Sequence, residues 1–87
     1  MKNRKPRSAF PGLSLELSGR MPIIEFTGNR RVLIEGSTGV LRYESEVVSI
    51  NTRSMTVTFN GRGLTLKSIS PTAVIIDGII TDTRFES

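Results

Sequence analysis

Between Val32 and Lys67 apolar and polar residues alternate with a period of two, the signature of strands with one buried face. The pattern predicts five consecutive strands joined by short turns. Asn60-Gly61 is the strongest turn signal, because both central positions of a tight hairpin need positive φ. A turn there sets Val57 opposite Leu64, Met55 opposite Leu66 and Thr56 opposite Thr65. A turn at Thr52-Arg53 sets Ile50 opposite Met55, Val48 opposite Val57 and Ser49 opposite Thr56. A turn at Ser45-Glu46 sets Tyr43 opposite Val48, Leu41 opposite Ile50 and Arg42 beside Ser49. The loop Gly36 to Gly39 then pairs Ile34 with Leu41 and Val32 with Tyr43. All four hairpins place the large apolar side chains except Leu33 on one face, and a one-residue slip in any of them would break the agreement.

A sheet apolar on one side must cover that side. Upstream, Ile24 and Phe26 join the face if Gly28-Asn29-Arg30 is a three-residue loop, and Leu13, Leu15 and Leu17 alternate as a further short strand. Downstream, Val74 to Ile80 is apolar nearly throughout, which suits a strand buried on both faces. Asp77-Gly78 reads as a glycine bulge in one long bent strand in preference to a second tight turn. The expected fold is all-β: one small domain of about seven or eight short antiparallel strands in a meander, closing as a sandwich, roll or barrel. Strand centres recur every eight to nine residues, so a β-solenoid is the alternative. The expected organisation is a disordered basic tail over residues 1–10 and a single all-β domain over residues 11–87.

Length sharpens the question of cover, since a domain of 87 residues buries only about 60 to 65% of the surface its unfolded chain exposes. With no cysteine and no histidine, disulfides are impossible and the usual zinc donors are missing, so added stability is expected from assembly. The same lack removes the common nucleophile and base pairs, and the chain is expected to be non-enzymatic, with no catalytic, cofactor-binding or metal-ligating residues. Glu44 and Glu46 read as turn residues, Asp77 and Asp82 as turn or surface residues. Gly61-Arg62-Gly63 is too short for a phosphate loop, and Arg62 is placed to stack on Phe59. No apolar run is long enough to span a bilayer or serve as a signal peptide, which points to a cytoplasmic chain or one held by a partner.

Charge is unevenly distributed. Of twelve basic residues four lie at Lys2, Arg4, Lys5 and Arg7, and from Ser8 onward eight basic residues balance eight acidic ones. That tail is the one candidate contact to an anionic surface, a membrane or a nucleic-acid backbone. The solvated face lacks aromatic residues for base stacking, so the nucleic-acid reading, a small β-barrel using its basic tail, stands second.

Val32 to Gly36, Gly39 to Glu44, Val47 to Ile50, Gly61 to Leu66, and Val74 to Ile80 followed by Arg84-Phe85 occur in an order and spacing that resemble the YabP/YqfC family of sporulation proteins, in particular its YqfC-like branch. Thr27-Gly28-Asn29 fits the same pattern, and the resemblance runs from about Leu13 to Phe85. It implies a non-enzymatic role in the mother cell during endospore formation, as a structural or assembly module. The partner would be another sporulation protein, a membrane-bound one included, or a second copy of the chain. The resemblance carries no catalytic or ligand-binding residues over, and the basic tail is not part of it.

Overall fold

A computed structural model describes residues 21–87. The expected tail and the expected strand at Leu13 to Leu17 lie outside them. The described chain forms six strands: β1 (Ile23–Thr27), β2 (Arg31–Glu35), β3 (Ser37–Glu44), β4 (Val47–Thr52), β5 (Thr56–Ile69) and β6 (Ala73–Glu86). They make one sheet in the order β1-β2-β6-β5-β4-β3, antiparallel at every junction, so the solenoid alternative does not describe it.

The two 14-residue strands β5 and β6 are the spine. Near its start β5 pairs with β4, while the start of β6 pairs with β2 at the other end of the long hairpin. The ladder between the spine strands is interrupted three times, with Thr81, then Gly63 and Leu64 against Gly78, then Lys67 out of register. Bulges of this kind bend a strand and increase its twist, so the sheet curls and its two halves face each other. Phe26 on β1 meets Phe59 on β5 edge to face at 6.2 Å between ring centroids. The Tyr43 hydroxyl on β3 accepts a hydrogen bond from the Leu66 backbone N–H at 3.2 Å.

The face predicted from alternation supplies Val32, Ile34, Val48, Ile50, Val57, Phe59 and Leu64 to the core, and β6 adds Val74, Ile76 and Ile80. β6 is one long strand through Asp77-Gly78, with Gly78 at φ 140°, as the bulge reading expected. Its apolar run is buried on one face, with Ile75 and Ile79 only half-buried on the other. The Gly28-Asn29-Arg30 loop also forms, pairing Ile24 with Ile34 and Phe26 with Val32.

Several registers differ from expectation. Asn60-Gly61 is not a turn; β5 runs straight through it, and Gly61 lies opposite Ile80. Val57 therefore meets Phe85, Leu66 meets Ile76, Thr56 meets Glu86 and Thr65 meets Asp77. The reason is steric: the missing side chain of Gly61 lets the Ile79 backbone approach closely, so the glycine serves a long-range bend. The β4–β5 turn sits one residue later than expected, at Arg53-Ser54. Thr52 fixes it by donating its hydroxyl to the Met55 carbonyl at 2.7 Å and accepting from the Met55 N–H at 3.1 Å. Ile50 then faces Val57 and Ser49 faces Thr58, a shift of two that keeps every side chain on its expected face.

The Ser45-Glu46 turn holds Tyr43 opposite Val48 and Arg42 opposite Ser49, but a bulge places Val40 opposite Ile50 and leaves Leu41 61% exposed. The largest departure is at Gly36, where φ reaches 98° and the N–H donates to the Thr72 carbonyl at 2.7 Å. There the chain leaves β2 for the opposite half of the sheet, so β2 does not pair with β3. Instead Val32 meets Ile76 and Ile34 meets Val74, which gives β2 apolar partners on the edge away from β1.

Candidate functional site

Two features on the surface of the roll are available for function. The first is the sheet's outer edge. Among the described residues no strand pairs with the outer side of β1 or β3. The β3 ladder is broken by two irregularities, a device that discourages further pairing. The β1 ladder is regular over its five residues, and its edge carries exposed Ile23 and Phe26 next to exposed Met21. A regular strand edge with exposed apolar side chains and no partner among the described residues is a template for an added strand.

The second feature is a cleft on the polar face, where the spine bends. Thr27, Arg30, Arg31, Arg62, Gly63, Asp77, Gly78 and Ile79 line an open space of about 630 Å³. The local sequence explains how its walls are held. The β1–β2 turn closes with Arg30 N–H donating to the Thr27 carbonyl, and docks on β6 through Gly78 N–H to the Arg30 carbonyl at 3.0 Å and Ile80 N–H to the Asn29 carbonyl at 2.8 Å. Arg31 lies in register with Asp77, and its guanidinium donates twice to that carboxylate, Nε to Oδ1 at 2.6 Å and a terminal nitrogen to Oδ2 at 2.9 Å. Arg62 stands on β5 opposite Ile79. It lines this cleft and does not stack on Phe59, whose buried ring packs against Phe26.

The bidentate bond from Arg31 holds the Asp77 carboxyl below the usual aspartate range, and Lys67 adds a smaller electrostatic pull in the same direction. A depressed folded-state pKa gives stability that is present above the ordinary aspartate value and is lost as pH falls through the lowered one. Carbon-detected titration should therefore place the Asp77 midpoint below that of an unperturbed aspartate, and Arg31→Gln should raise it. A midpoint indifferent to that substitution would separate Asp77 from Arg31 energetically.

The other carboxylates singled out in the sequence have ordinary surface surroundings. Glu44 is paired with Arg42 at 3.1 Å, and Asp82 accepts from Asn60 at 3.2 Å with Arg84 at 3.9 Å. Glu46 serves through its backbone, its carbonyl accepting from Gly61 N–H at 3.0 Å beside the spine bend. Among the described residues no group of acidic side chains is arranged to hold a metal ion. Lys2, Arg4, Lys5 and Arg7 lie outside those residues. The cleft was not foreseen from sequence; Arg30, Arg31, Arg62 and Asp77 come from three strands and a turn, and no local spacing links them.

The fold and surface together define a small rolled antiparallel β domain with a basic cleft and, among the described residues, no strand on the outer edge of β1. Residues 18–87 match the YabP family, and the chain belongs to it. That match begins at residue 18 and includes every described strand, and membership suggests a sporulation-related protein. Comparisons with curated proteins and with solved structures returned no significant match. No helix among the described residues is long and apolar enough to cross a membrane.

Proposed function

We propose that the chain is a non-enzymatic structural or assembly module of endospore formation, acting in the mother cell by presenting a sheet edge to another sporulation protein or to a second copy of itself. The observation that carries this reading is the regular edge of β1, with exposed Ile23 and Phe26 and no partner strand among the described residues, in a chain belonging to the YabP family. Main-chain hydrogen bonds along such an edge supply affinity, and the exposed alternate side chains supply selectivity. A small domain also gains stability from whatever it pairs with. A membrane-bound partner would bring the chain to a membrane surface.

Light scattering on the full chain after size exclusion, together with a pull-down from sporulating cells, tests the reading. The expected result is either a species heavier than the 9.6 kDa monomer or capture of a defined sporulation protein. Ile23→Lys, a charge on an exposed position of the edge, should abolish it while leaving the domain folded. A chain that stays monomeric at high concentration and captures nothing would overturn the proposal. Oligonucleotide binding that weakens steeply with salt would replace it with the nucleic-acid reading.

A further inference from the structure

We infer that the cleft at the bend of β5 and β6 is a binding site for a phosphate-type oxyanion, gripped between the guanidinium groups of Arg30 and Arg62. Charge is the first observation. Over residues 21–87 there are seven basic and seven acidic residues, so the folded part is neutral in sum. Three of those seven basic residues line the cleft, against a single acid, Asp77. Arg31 already engages both oxygens of Asp77 through one edge of its guanidinium, which leaves the charges of Arg30 and Arg62 without a carboxylate partner among the described residues. Neither guanidinium has an ion pair or hydrogen bond within the described residues.

Rigidity is the second observation. The Arg30 backbone is tied to β6 by the Gly78 N–H, and Arg62 lies on the β5 ladder opposite Ile79, so the two walls are fixed relative to each other. A Cβ on Gly78 would come within 2.7 Å of the Gly63 carbonyl oxygen and 2.9 Å of Leu64 Cα, so the floor of the cleft needs glycine there. Like charges carried on a fixed backbone, with no counter-charge of their own among the described residues, raise the free energy of the empty site and favour an anion that enters it. The side-chain type narrows the anion. Guanidinium forks match the spaced oxygens of phosphate, and an oxyanion bridging two of them gains charge-assisted hydrogen bonds from both. Asp77 on one wall disfavours a second anionic group beside the first. The site therefore suits one phosphate group, on a small molecule or on a lipid headgroup, and not a polyanionic strand.

The test is residue-resolved nuclear magnetic resonance of the full chain during titration with inorganic phosphate, against sodium chloride at matched ionic strength. The expected result is saturable shifts confined to the Arg30 and Arg62 side-chain Nε–H groups and the Gly63 and Gly78 amides. Arg30→Gln and Arg62→Gln should each weaken binding about tenfold or more, while Arg84→Gln, a distant exposed arginine, should leave it unchanged. Sedimentation with vesicles of phosphatidylglycerol and of phosphatidylcholine then distinguishes the source. Binding to the anionic vesicles that is lost in Arg62→Gln assigns a headgroup, and phosphate saturation without vesicle binding assigns a soluble ligand. Shifts that chloride reproduces, that fail to saturate, or that survive both cleft substitutions would overturn the inference. The basic residues before Ser8 cannot mimic the phosphate titration, whose readout is local to the cleft, and vesicle binding that persists in Arg62→Gln would come from them and would overturn the headgroup assignment.

Discussion

Gly61→Ala should unfold the domain or cost it at least about 3 kcal/mol, beyond the usual effect of an overpacked methyl group. Built on the existing backbone, the added Cβ would fall onto the Ile79 carbonyl oxygen and lie 2.9 Å from the Ile79 carbonyl carbon and 3.1 Å from Ile80 Cα. All three obstacles are backbone, so no rotamer change relieves them. The backbone in question is the centre of β6, held by β5 on one side and by the Asn29 and Arg30 carbonyls of the β1–β2 turn on the other, and separating it from β5 at this point would break the bend that brings the two halves together. Three neighbouring glycines provide controls. Gly63→Ala meets no atom within 4 Å but must adopt φ near 60°, for a cost of about 1 to 2 kcal/mol. Gly28→Ala shares that geometry, at φ 54°, and should cost about as much. Gly39→Ala meets neither obstacle and should change stability by less than about 0.5 kcal/mol. Urea denaturation of the four variants measures the series; a Gly61→Ala protein as stable as Gly39→Ala would show that β5 and β6 do not approach as described.

The same glycine shows where sequence reading succeeded and where it could not. Alternation decides which face a side chain occupies, and that is a local property. Seven of the ten core residues come from the face deduced in that way, and the Ser45-Glu46 and Gly28-Arg30 connections fall where they were expected. Pairing is a different matter. Asn-Gly suits a tight turn and glycine suits a close strand crossing, and the residues Asn60-Gly61 satisfy either use. Which one prevails is set by β6, which begins twelve residues further on at Ala73 and whose nearly continuous apolar run flanks both β2 and β5. A meander of local hairpins and a sheet with β6 inserted between β2 and β5 share one alternation pattern. Only long-range pairing separates them.

The cleft was invisible for a related reason. Summed along the sequence, the charges after the tail cancel, which suggested a neutral body. Folding places Arg30, Arg31 and Arg62 together and leaves most acidic residues elsewhere, on the strand ends and outer turns. Net charge is a property of composition, whereas local potential depends on topology. The bulge at Gly78 was legible, but the meeting of the β1–β2 turn with that bulge was not.

Phe59→Ala should cost about 3 to 5 kcal/mol, the range for truncating a buried aromatic. That is a large part of the total stability, roughly 4 to 13 kcal/mol for a chain of this length. Phe59 is the largest fully buried side chain, on the β5 segment that β4 and β6 both flank, opposite Val48 on one side and Thr83 on the other. Its ring also reaches Phe26 on β1, an edge strand of the other half of the sheet. Phe59→Leu, which keeps most of the volume, should cost less than about 1.5 kcal/mol. Phe26→Ala removes a half-exposed ring and should cost less than Phe59→Ala. The informative quantity is the coupling between them. If the sheet curls so that its halves pack, the double variant Phe26→Ala/Phe59→Ala should fall short of the sum of the single effects by about 0.5 to 1.5 kcal/mol, the usual contribution of an edge-to-face pair. Additive effects would mean that β1 does not close over β5. The edge of β1 would then be mobile relative to the core, and strand addition there would have to order it first.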